Sequence, residues 1–106
     1  MGMTNVQPLR LSDPAFIKRV REIAADSNRV FLTGHAKGRM RKRKVTRMQV
    51  IECLRKGAIS EPAHLNIYGD WQATLTHQNA GDQVKVAVSI ERQEDGDLAV
   101  VVTVMN

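Results

Sequence analysis

The sequence predicts an α+β fold, with helices packed on one face of a small curved antiparallel sheet. Three observations carry this. Helical periodicity is confined to the first half of the chain, two-residue alternation is confined to the second, and glycine-containing turn pairs separate the alternating runs. Helices and strands segregated along the chain favour one layered α+β domain over an alternating parallel sheet. A chain of 106 residues fits one such domain. Residues 1–11 read as a lead-in and 12–106 as the folded unit. Met1-Gly2 is expected to be an appended pair, with Met3 as the natural start.

The first helix should start at Ser12-Asp13-Pro14, with Asp13 as cap and Pro14 in the first turn. Phe16, Ile17, Val20, Ile23 and Ala24 recur at helical spacing, and the helix should end near Ser27-Asn28. Arg29–Thr33 reads as a short strand, and Gly34–Arg43 as a helix despite its two glycines. A third helix begins at Thr46, where Thr46 and Gln49 have capping-box spacing and Val45 and Val50 occupy the hydrophobic-staple positions. Met48, Ile51 and Leu54, with Val50, should form its buried stripe, and Gly57 should end it.

Four strands are then expected. Ala63–Tyr68 turns at Gly69-Asp70 into Trp71–His77, and Asn79–Asp82 makes the next turn. Val84, Val86, Val88 and Ile90 alternate with Lys85, Ala87, Ser89 and Glu91, so one face should be buried. Asp95-Gly96 turns into Leu98–Val104, which is apolar on both faces, as in a central strand.

Charge is unevenly placed. Residues 1–56 hold 14 Lys/Arg against 4 Asp/Glu, a balance of +10, and residues 57–106 hold 2 against 7, a balance of −5. Six cations fall within residues 37–44. Their mutual repulsion points to an anionic partner, and nucleic acid is the expected one. Lys37, Arg41, Lys42, Lys44 and Arg47 are the expected backbone-binding residues. Single Cys53 permits no internal disulfide, and with no apolar run near the ~20 residues that span a bilayer, a cytoplasmic protein without membrane contact is expected. His35, His64, His77 and Cys53 lack metal-ligand spacing, so no metal or other cofactor is expected.

His35, Arg39 and Arg43 recur at four-residue spacing and form one helical stripe beside Ala36 and Met40. Histidine moves protons near neutral pH and arginine holds phosphate oxygens. RNA carries its own nucleophile in the 2′-hydroxyl. The stripe is therefore the candidate catalytic set for phosphodiester cleavage, or else a staple between helix and sheet. Tyr68 and Trp71 beside their turn either cover a sheet edge or stack bases.

The run Thr33-Gly34-His35-Ala36-x-x-Arg39-Met40-x-x-Arg43-x-Val45-Thr46, followed by Val50, Leu54, Gly57-x-Ile59-x-Glu61, Trp71 and the valine-rich stretch 84–104, resembles the bacterial domain of unknown function 4258 family. The resemblance spans residues 29–105 and omits the first helix. That family is similar to the RelE/BrnT-like group of toxin ribonucleases. The resemblance implies that fold, signature positions at His35, Arg39 and Arg43, and additional sheet residues for which Ser89, Thr103 and Tyr68 are candidates. It also implies RNA as substrate and an acidic antitoxin as partner. The alternative is a non-catalytic module, such as a phage-type or accessory inhibitor, that uses the basic helices to bind or block a partner.

Overall fold

The computed structural model describes residues 11–79 and 81–105. The expected lead-in, Leu11 apart, lies outside them, as does the Met1-Gly2 pair. Three helices, α1 (Asp13–Ala24), α2 (Gly34–Arg43) and α3 (Arg47–Lys56), accompany five strands, β1 (Val30–Leu32), β2 (Ala58–Leu65), β3 (Trp71–Asn79), β4 (Asp82–Glu91) and β5 (Leu98–Met105). The sheet order is β1-β5-β4-β3-β2. Neighbours from β5 to β2 are antiparallel, but β1 pairs parallel to β5 through Val30↔Ala99 to Leu32↔Val101. The class is α+β, and the sheet is mixed rather than purely antiparallel. β1 is too short to announce its partner: three residues define a strand but no direction.

Local signals account for the elements. Ser12, not Asp13, caps α1 by accepting from the Ala15 amide. Asp13 instead accepts from the Ala63 amide at 2.9 Å, tying the helix start to β2. α1 stops at Ala24, and a 3-10 turn over Ser27–Arg29 leads into β1. Thr46 and Gln49 form a complete capping box at α3. Val50, Ile51, Cys53 and Leu54 are buried there, while Met48 is 63% exposed, contrary to the expected stripe. Met48 lies on the first turn, beyond the edge of the core that Val50 and Leu54 enter. Gly57 ends α3 in an extended conformation, where a Cβ would stand 2.5 Å from the Cys53 carbonyl oxygen. Glycine is required there for space, not for a left-handed turn.

β2 starts at Ala58, five residues before the expected strand. Its pairing with β3 slips twice around Glu61 and Pro62. Proline and bulges suit an edge strand and discourage further pairing. The β2–β3 connection is wider than two residues. Asn66 Oδ1 accepts from the amides of Tyr68 and Asp70, and Gly69 takes φ 82°.

The core joins Phe16, Val20 and Ile23 of α1, Val50 and Leu54 of α3, and Ala36 and Met40 of α2 to Val84, Val86, Val88 and Ile90 of β4. β5 lies second in the sheet, which explains its apolar run. A shift between Ala87 and Val88 in its pairing with β4 keeps both Val101 and Val104 in the core. Beyond the end of β1, α2 covers the edge of β5. Thr33 Oγ1 donates to the Val102 carbonyl and Arg39 Nε to the Val104 carbonyl, at 3.0 and 3.3 Å. Among the described residues, no helix covers the opposite face of the sheet.

Candidate functional site

The open sheet face is read from the register. Phe31, Val100, Ser89, Gln72 and His64 are successive partners across all five strands, so they form one transverse row. Glu91 lies two residues from Ser89 on the same face. Leu65 and the turn residues Asn66–Tyr68 bound one end of this face, and Thr33-Gly34-His35 stands at the other. Together they bound a trough of about 1110 Å³, lined by His35, His64, Tyr68, Gln72, Ser89 and Glu91 among others.

His35 reaches the trough because of how α2 begins. Thr33 caps the helix by accepting from the Ala36 amide at 3.0 Å, which places His35 in the first turn, exposed at the rim. His64 Nδ1 lies 3.3 Å from the Pro62 carbonyl oxygen. A carbonyl only accepts, so in this contact Nδ1 carries the proton and Nε2 remains to engage a ligand. Glu91 Oε1 accepts from Gln93 Nε2 at 2.7 Å, leaving its second oxygen. Asp70, also on the lining, has its carboxyl held above the ordinary range by burial and then by the nearby Glu91 charge. Ser89 is only 4% exposed and lies at the floor; among the described residues its hydroxyl has no hydrogen-bond partner.

The predicted stripe divides. His35 lines the trough, whereas Arg39 is half-buried against β5 and Arg43 is exposed near the far end of α2. A helix rises about 1.5 Å per residue, so the Cα atoms of His35 and Arg43 lie about 12 Å apart along it. Of the further candidates, Ser89 and Tyr68 line the trough. Thr103 sits half-buried in the adjoining row, opposite Ala87. Trp71 packs against the core, while Tyr68 is 81% exposed. The sequence reading missed His64, Gln72 and Glu91. The signal available for Glu91 was its place in the β4 alternation; for His64 and Gln72 it was only their cross-strand pairing, which a single sequence hides.

The basic half sorts in the same way. Arg21 donates to the Arg55 and Gly57 carbonyls, Arg55 to those of Ala24 and Ala25, Arg47 to that of Ser27 and Arg29 to that of Asp95. Arg19 pairs with Asp97 and Glu22, and Lys56 with Glu52. Arg47, expected at the backbone-binding face, is thus engaged with the chain. Lys37, Arg41, Lys42, Arg43 and Lys44 are exposed and have no partner among the described residues. Lys37, Arg41 and Lys44 border one hollow with Met40, Val45 and Thr46.

Cys53 is fully buried, and burial pushes its thiol up to about 12. Among the described residues, no group of three or more His, Cys, Asp and Glu is placed to hold a metal ion, and no helix is long and apolar enough to cross a membrane.

An α+β domain with one strongly basic helix beside an uncovered sheet face is thus defined. The chain belongs to the family described as Domain of unknown function (DUF4258), whose model matches residues 32–106. α1 lies outside that span. Neither the curated proteins nor the solved structures give a match to the chain.

Proposed function

We propose that the chain is a nucleic-acid-binding domain that cleaves RNA without a metal ion, in the manner of a toxin endoribonuclease. The observation that carries this reading is the position of His35, exposed where the basic helix meets the trough. An exposed imidazole at that junction can take the proton that 2′-hydroxyl attack releases. His35 takes the 2′-hydroxyl proton and the 2′-oxygen bonds to phosphorus. The bond from phosphorus to the 5′-oxygen breaks, and that oxygen takes its proton from water. The products are a 2′,3′-cyclic phosphate and a 5′-hydroxyl. The backbone runs along Lys37, Arg41, Lys42, Arg43 and Lys44, which neutralise phosphates beyond the scissile one. Arg39 acts as a positioning residue that fixes α2 on β5.

A second reading, a module that docks on a protein, draws support from exposed Phe31, Leu65 and Ile67, at 56, 54 and 90%. Incubation with total RNA in EDTA separates the two. Wild type is expected to leave 2′,3′-cyclic ends, and a substrate with 2′-deoxy at the scissile position to be bound but uncut. His35→Ala is expected to lose roughly 10²–10⁴-fold in rate while still binding. Intact RNA after prolonged incubation with folded protein overturns cleavage, and failure to bind RNA as well leaves the docking module.

A further inference from the structure

We infer that the trough holds one unstacked base of a single-stranded nucleic acid, and that it selects cytosine or adenine over uracil. The inference rests on the reading of the chain as an RNA-binding domain and assigns that domain its specificity site. Four observations carry it. Ser89 is nearly fully buried at the trough floor with a hydroxyl that no described residue engages. A buried polar group without a partner is costly, so a ligand that supplies one gains from the contact. Glu91 presents a free carboxylate oxygen two residues along the same strand face, about 7 Å away by strand rise. Gln72 stands next to Ser89 on the adjacent strand, about 5 Å off by strand spacing; its Oε1 accepts from Asn66 Nδ2 at 3.0 Å, which leaves its amide nitrogen to donate. The walls, Val100, Val102 and Leu65, are aliphatic, and Tyr68 offers an exposed ring at the rim.

This is a lining for a flat ring with a polar edge. Aliphatic and aromatic groups take the faces, while hydroxyl, amide and carboxylate take the edge. The trough is an unsuitable bed for phosphate, since Asp70 and Glu91 both face it. The unpaired cations lie instead on α2, starting two residues beyond His35. A ligand that satisfies both regions has a polyanionic backbone and neutral, planar side groups. Single-stranded nucleic acid has that chemistry; an acidic peptide has the charge without the rings.

The polar order sets the base. Glu91 only accepts, so it calls for an exocyclic amine. Ser89 can donate to the ring nitrogen beside that amine. Cytosine and adenine both carry an amine next to an accepting ring nitrogen. Uracil presents an oxygen to Glu91 and an N–H to the neighbouring position, so the carboxylate meets a second acceptor.

The test is fluorescence-anisotropy binding of six-residue single-base 2′-deoxy oligonucleotides of cytosine, adenine or uracil. These cannot be cut by 2′-oxygen attack. Wild type is expected to bind the cytosine and adenine oligomers about tenfold tighter than the uracil oligomer, the discrimination of one well-made edge contact. Glu91→Gln adds a donor and is expected to collapse that ratio towards one. Ser89→Ala is expected to weaken cytosine and adenine binding severalfold and uracil binding less. Thermal melts confirm that each variant is folded, and Gln72→Ala, more exposed than Ser89, repeats the test at a more tolerant position. Equal binding of the three bases by wild type, no binding at all, or a ratio unchanged in folded Glu91→Gln and Gln72→Ala, overturns the inference. Cleaved RNA with no base discrimination would remove the base site and leave the nuclease. Base discrimination that depends on Glu91, with RNA left intact in EDTA, would keep the base site and remove the nuclease.

Discussion

Arg39 and Lys37 stand two residues apart on α2, yet they face different surroundings. Arg39 is half-buried and donates to the Val104 carbonyl, at an edge of β5 that β1 has left uncovered. Arg39→Ala is therefore expected to destabilise the fold by about 1–3 kcal/mol, since a charged donor and stem packing are lost together. Lys37→Ala should change stability by less than about 0.5 kcal/mol, as at other free surface positions. Denaturant melts that rank the two equally would mean that Arg39 does not fasten α2. Cys53 supplies a pH test. Its thiol is held up to about 12 by burial, against an ordinary value of 9.0. Above pH 9 the unfolded chain loses this proton while the folded chain keeps it, so the unfolded state gains. Stability should fall as pH rises from about 9 to 12, and Cys53→Ala should lose that part of the slope; an unchanged slope would show that the thiol does not contribute. At this scale the sequence was partly legible. His35 was visible because helical spacing sets it beside Ala36 and Met40. His64 and Gln72 were not, because their relation to Ser89 exists only across strands.

Among the elements, the start and the buried residues Val50, Ile51 and Leu54 of α3 were readable because their signals are local, while Met48, expected in the same stripe, is exposed. Thr46 and Gln49 close the capping box and Val45 packs against the core that holds Val50. Thr46→Ala is expected to cost about 1 kcal/mol and Leu54→Ala about 2–5 kcal/mol, whereas exposed Met48→Ala should be nearly neutral. Urea titrations of the three variants check that order, and a melt in which Met48→Ala behaves like Leu54→Ala would place the buried stripe elsewhere. The ends of α1 and α3 are bound reciprocally, Arg21 reaching the last carbonyls of α3 and Arg55 those of α1. Each guanidinium meets the negative end of the other helix. Composition alone suggests these arginines for a ligand; only the tertiary arrangement reveals their carbonyl partners. The strands failed to be legible for related reasons. Ala58–Pro62 lacks alternation because β2 is an edge with two register slips, and the parallel direction of β1 is set by β5, which arrives some seventy residues later.

For the whole molecule, the balance of +10 in residues 1–56 overstates the surface offered to a partner, because six arginines there are engaged internally. What remains is concentrated on α2 and its cap, at one end of the uncovered sheet face. Salt dependence measures that remainder. For a single strand each neutralised phosphate contributes about 0.7 to the slope of log affinity against log salt, so Lys37→Ala with Arg41→Ala should lower the slope by about 1.4, and Arg21→Ala should leave it unchanged. Lys44 makes the sharpest test. It ends α2 with φ 57°, the left-handed conformation that helix ends ordinarily give to glycine, and it is the one non-glycine residue with positive φ among those described. A lysine there costs roughly 1 kcal/mol that glycine would avoid. Its charge faces the same hollow as Lys37 and Arg41. A residue that breaks a local rule marks a place where function competes with stability. Lys44→Gly should accordingly act in opposite directions, raising the melting temperature while weakening RNA binding and lowering the salt slope by about 0.7. Binding equal to wild type in the stabilised variant would show that the cation at this cap serves no ligand, and that the polyanion track ends before it.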